Sequence, residues 1–131
     1  MNQALQAISG INIFVEDYEQ AKTFYHQVLG FQIVEDIELS PEQRWLTVTP
    51  AQGQTRLILA KAQTDTQRAL VGKQAGDSVL MILSTANFDQ TYQDYLDKGV
   101  EFVEEPRIEP YGKVVIFKDL YGNKFDLIQP A

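Results

Sequence analysis

The apolar positions alternate, then recur every three to four residues, then alternate again, and this whole succession occurs twice. Residues 10–16 (GINIFVE) change face at each step and are rich in β-branched side chains, which predicts a strand. Ala21, Phe24, Tyr25, Val28 and Leu29 follow at helical spacing and form one apolar stripe. Asp17 stands where a helix N-cap belongs, with Gln20 three residues on, as in a capping box. Gly30 supplies a residue that tolerates the left-handed conformation closing a helix. Residues 31–38, 43–49 and 55–61 read as three more strands, divided by Ser40-Pro41 and by the turn Pro50-Ala51-Gln52-Gly53.

The second copy uses the same grammar. VEDYEQAKTFYHQVLGFQIVE at 15–35 returns as TANFDQTYQDYLDKGVEFVE at 85–104, with Asp17 on Asn87, Gln20 on Gln90 and Tyr25 on Tyr95. One deletion then sets Gly30 on Gly99 and Phe31 on Val100. A strand is expected at 78–85, a helix from Asn87 to Gly99, and strands near 100–104, 111–118 and 123–129. Gly53 and Gly122 mark the same turn in both copies. Residues 62–77 are polar, with a short helical turn expected at Arg68–Val71, and read as a connector. The expectation is an α+β protein of two βαβββ modules, at about 8–61 and 78–129. The modules would build a curved, half-open mixed sheet with a concave cleft.

Period-two alternation assigns faces. Ile11, Ile13, Val15, Leu57, Leu59, Phe125 and Leu127 should meet the helices. That leaves Gly10, Asn12, Phe14, Arg56, Ile58, Lys124, Asp126 and Ile128 on the other face, too apolar a mixture to lie in bulk water. Trp45 and Thr47 alternate with Leu46 and Val48 and join that face.

Composition narrows the chemistry. A length of 131 residues suits one domain, and the net charge of −7 opposes nucleic-acid binding, which needs cations against phosphates. The same charge would favour cationic ligands if the carboxylates converged. Zero cysteines exclude disulfides, thiolate zinc sites and cysteine nucleophiles. There is no apolar run long enough to span a bilayer and no signal-peptide pattern in MNQALQAISG, so a cytoplasmic protein without membrane partners is expected. Serines 9, 40, 78 and 84 have no paired histidine, and no glycine-rich phosphate loop occurs. His26, the single histidine, falls off the apolar stripe and reads as a solvated helix residue.

The segment Val15–Phe31, V-x-D-x-x-x-A-x-x-F-Y-x-x-x-L-G-F, resembles the vicinal oxygen chelate superfamily of glyoxalases, extradiol dioxygenases and bleomycin-resistance proteins. D-L-Y-G-N-K-F-D-L near the C-terminus is similar to that family's D-P-D-G-N-x-x-E-L. The resemblance implies a glyoxalase-like fold, a homodimer, and four metal-facing positions that fall here on Gly10, Ile58, Leu80 and Asp126. Three of these carry no ligand atom, so the nearest character is that of the metal-free bleomycin-resistance proteins, with no cofactor. The implied function is binding of a small organic molecule, its site lined by Asn12, Phe14, Trp45, Thr47, Arg56, Ile58, Leu80, Tyr111 and Asp126. Arg56 would clamp an anion or carbonyl, and Asp126 is the candidate for acid–base work. Two alternatives stand beside it. One is a lyase, isomerase or dioxygenase of the superfamily, working through Asp126 or a displaced divalent metal. The other is a protein-interaction module with a vestigial cleft.

Overall fold

A computed structural model describes residues 4–51 and 53–131; Gln52 of the Pro50–Gly53 turn and residues 1–3 lie outside the described residues. The chain divides into two compact units, Met1–Arg68 and Ala69–Ala131, whose boundary falls inside the expected connector.

In the first unit, β1 (Gly10–Val15) leads to helix α1 (Tyr18–Thr23), which continues as a π-helical turn over Phe24–Val28. Strands β2 (Gln32–Ser40), β3 (Gln43–Thr49) and β4 (Arg56–Lys61) complete a mixed sheet of order β1-β4-β3-β2. Asp17 caps α1, its Oδ1 accepting the Gln20 N–H at 2.8 Å. The π turn has the Leu29 N–H donating to the Phe24 carbonyl at 3.0 Å, and Gly30 then takes φ +82°. Ala21 and Tyr25 are buried with Ile13, Val15, Leu46, Val48, Leu57 and Leu59, so the helix covers one sheet face. Ile11 departs from the expectation: it stays 44% exposed at the start of β1, ahead of the helix-covered stretch.

The second unit begins within α2 (Asp65–Leu70), longer than the expected turn at Arg68–Val71. It continues through β5 (Val79–Ser84), α3 (Phe88–Asp97), β6 (Glu101–Phe102), β7 (Arg107–Glu109), β8 (Gly112–Lys118) and β9 (Lys124–Pro130). Its sheet order is β5-β9-β8-β6, the order of the first unit, with β7 also paired to β8. The repeat is therefore visible in the connectivity. Asn87 caps α3 through the Gln90 N–H at 3.2 Å, and Gly99 takes φ +82°, matching Asp17 and Gly30. Gly53 and Gly122 likewise match, each N–H donating to the carbonyl three residues back, Pro50 and Asp119. Phe88, Tyr95, Val115, Phe117, Phe125 and Leu127 form this unit's core.

Strand β7 was not expected. Where the first unit runs β2 unbroken for nine residues, the second breaks after Phe102. Pro106 has no N–H to give a ladder, so pairing resumes only at Arg107. Architecturally the molecule is α+β, with two mixed sheets of four and five strands, neither closed.

Candidate functional site

Each sheet has a helix-free face, and the expected site residues gather there in two groups. On the first, Gly10 lies opposite Arg56 and Asn12 opposite Ile58, while Ile58 is also the partner of Thr47 across β3. Thr47 in turn lies opposite Glu35, so Asn12, Ile58, Thr47 and Glu35 form one row across four strands. Phe14 sits two residues along β1 from Asn12, and Trp45 two along β3 from Thr47; both are half-buried. The structure thus brings Asn12, Phe14, Trp45, Thr47, Arg56 and Ile58 onto one face.

Glu35 is a residue of this face that sequence reasoning missed. The pairing of β2 with β3 shifts between Ile33 and Glu35, which makes Val34 an extra residue and turns Glu35 toward Thr47. Simple alternation gives the opposite parity. The available signal was the repeat itself, since both copies end in Val-Glu, at 34–35 and 103–104. Glu35 Oε1 accepts from Thr47 Oγ1 at 3.3 Å and from Arg56 Nη1 at 3.3 Å. The first bond satisfies the fully buried Thr47 hydroxyl.

On the second sheet, Asp126 lies between Ile82 of β5 and Ile116 of β8. Its Oδ1 is buried, and it is without a hydrogen-bond partner among the described residues. Burial pushes the Asp126 carboxyl above its ordinary range; Arg107 pulls it back, and Glu104 adds to the rise. Glu104 is the repeat counterpart of Glu35. Its Oε2 accepts the Ile116 N–H at 3.0 Å and its Oε1 the Arg107 Nε–H at 2.9 Å. Arg107 Nη1 donates to Glu109 at 2.8 Å, and the bonds to Glu104 and then Glu109 hold the guanidinium firmly protonated. Glu104, Arg107 and Glu109 were not foreseen, because they depend on where the unexpected β7 resumes pairing.

Leu80 and Tyr111 fit the expectation less well. The register between β5 and β9 shifts between Val79 and Met81, placing Leu80 in a bulge, half-buried, while Ile82 takes the place beside Asp126. Tyr111 does not open a strand. It sits in the turn between β7 and β8, 58% exposed, with its side chain beside Arg107. His26 is exposed on the helical segment, as expected, and its Nδ1 lies 2.7 Å from the Phe31 carbonyl oxygen.

The positions that would face a metal are poor in donors. Gly10, Ile58 and Leu80 present none, leaving the Asp126 carboxylate. A Cβ at Gly10 would stand 3.0 Å from Ile58 Cδ1, so Ile58 borders this position. Among the described residues, no cluster of three or more His, Cys, Asp or Glu side chains is placed to hold an ion. These residues do not fit a divalent cation, which generally takes three or more protein ligands. Two shallow hollows of about 370 and 460 Å³ lie elsewhere, one around Lys113 and Gln129 and the other around Tyr92 and Phe102. They share only Glu109 and Glu104 with these faces.

Among the described residues, no helix is long and apolar enough to cross a membrane. Residues 7–127 match the model of the Glyoxalase/Bleomycin resistance protein/Dioxygenase superfamily. An uncharacterized protein of Shewanella frigidimarina is 37% identical over 126 residues, 95% of this chain and 93% of that one. YetH of Bacillus subtilis, also uncharacterized, is 31% identical over 92% of this chain and 96% of its own. Among solved structures, UcmS2 is similar at 32% identity and a TM-score of 0.82, over 95% of this chain and 98% of its own. TnmS3, an antibiotic binding protein from Streptomyces sp. CB03234, aligns at 28% identity and a TM-score of 0.83, over 99% of this chain and 100% of its own. With the duplicated strand order and the match over nearly the whole length, the chain belongs to the Glyoxalase/Bleomycin resistance protein/Dioxygenase superfamily.

Proposed function

We propose that this protein is a metal-free, homodimeric binder of a small organic molecule, held on a helix-free sheet face. The observation that carries this reading is the chemistry at the family's metal positions, where Gly10, Ile58 and Leu80 offer no side-chain ligand atom. What remains is apolar surface from Phe14, Trp45 and Ile58 with a few polar groups to fix orientation, the usual make-up of a ligand site. The likeness to TnmS3 supports it. A thermal-shift screen of metabolites and antibiotics tests it, because a ligand of the native state raises the melting temperature. At a ligand concentration of 100 Kd the gain is about 2.7 kcal/mol. Dialysis against EDTA should leave the melting temperature unchanged. Stoichiometric zinc, nickel, manganese or iron surviving that dialysis would sink the metal-free reading.

A second reading rests on Asp126, whose buried and unpartnered oxygen suits a general acid or base. It predicts turnover that is lost in Asp126→Asn while ligand affinity persists.

A further inference from the structure

The duplication left a glutamate at matching positions of the two copies, Glu35 within β2 and Glu104 in the bend after β6, yet the two surroundings have opposite hydrogen-bonding character. In the first unit, Glu35 meets Arg56 through a single 3.3 Å contact to Nη1. The Arg56 side chain is 48% exposed, and its Nε and Nη2 have no partner among the described residues, so an edge of a planar, permanently charged donor remains open. In the second unit, Arg107 is engaged by Glu104 and Glu109 and offers no comparable edge. The unpartnered group there is Asp126 Oδ1, buried and with no hydrogen-bond donor among the described residues, on the strand between Ile82 and Ile116. Counting Glu104, Glu109 and Asp126 against Arg107 leaves that cluster two negative charges in excess, while Glu35 and Arg56 cancel. A buried oxygen without a donor is costly, and a ligand N–H or ammonium would relieve the cost.

We propose that the two copies have diverged into subsites of opposite polarity: the first sheet takes a carboxylate or carbonyl oxygen at Arg56, and the second takes an amine or N–H donor at Asp126. The inference rests on the small-molecule reading and deepens it. Each subsite names its own ligand chemistry: hydrogen-bond acceptors for the first face, donors for the second. Asn12, Thr47 and Ile58 flank the first subsite, and Ile82 and Ile116 the second.

Two simple probes test this on the full chain, benzoate and benzylamine, each titrated into ¹⁵N-labelled protein and followed by NMR. Benzoate should shift the amides of Asn12, Thr47 and Ile58, and Arg56→Gln should weaken it about tenfold, as expected for one charge-assisted hydrogen bond. Arg56→Lys, which keeps the charge without the fork, should lose less. Benzylamine should shift Ile82, Ile116 and Asp126, with a similar loss in Asp126→Asn and little in Asp126→Glu. Each substitution should spare the other probe. Probes that map to the same face, or variants that weaken both equally or neither, would overturn the divergence. The thermal-shift screen judges small-molecule binding separately, so a hit there alongside indifferent probes sinks the polarity and spares the binding.

Discussion

Two carboxylates in this protein respond to their surroundings in opposite directions, and the difference can be measured. Hydrogen bonding to Arg44 lowers the Asp36 carboxyl below its ordinary range, burial opposes this, and Lys22 adds to the lowering. Asp126 is raised by burial. A lowered native value means stability present above the unfolded carboxylate range and lost as pH falls through the native value. A raised one means the reverse: the contribution is fully present below the unfolded value and lost as pH rises through the native one. At pH 7, Asp36→Asn should therefore cost on the order of 1 kcal/mol, and Asp126→Asn should gain on the order of 1 kcal/mol by removing an unsatisfied buried charge. Both effects should fade in acid, where wild-type aspartates are protonated. Urea unfolding of the three proteins between pH 3 and 7 checks this, and an Asp126→Asn protein less stable than wild type at pH 7 would contradict it.

Helices and turns were the most legible elements, because their signals are local. Asp17 and Asn87 cap as expected, and Gly30 and Gly99 end both helical segments at φ +82°. All strands but β7 were legible in place, and their faces largely so until a bulge intervened. Val34 and Leu80 each add a residue to one side of a ladder, which alternation within one strand does not reveal. That is why Glu35 escaped notice and Leu80 falls in a bulge rather than beside Asp126, and the interruption at Pro106 hid the Arg107 cluster in the same way. The glycines make a test at this scale. A Cβ at Gly30 would meet nothing within 4 Å, so Gly30→Ala should cost only the left-handed backbone, roughly 1–2 kcal/mol. Gly72 also has positive φ, and a Cβ there would collide with the Tyr121 carbonyl oxygen. Gly72→Ala should cost clearly more than Gly30→Ala in thermal melts, since backbone must move to admit it; equal costs would refute the difference.

For the whole molecule, the proposed homodimer has a visible motive in β2. This nine-residue edge strand exposes Val34, Ile37 and Leu39, at 37, 49 and 61%. An apolar edge of that length is an invitation to pairing. Light scattering should give twice the chain mass for wild type, and Ile37→Lys with Leu39→Lys should return a folded monomer; a wild-type monomer would dismiss the dimer. The bulge at Val34 on the same strand has a different consequence. A single inserted or deleted residue there reverses the facing of the residues next to it while the helix-packed core of β3 and β4 keeps its pairing. Such a strand lets a lineage exchange the side chain opposite Thr47 by changing length rather than identity. A length change of three nucleotides would thus alter the polar character of the row formed by Asn12, Ile58, Thr47 and residue 35 while the packed core stays as it is.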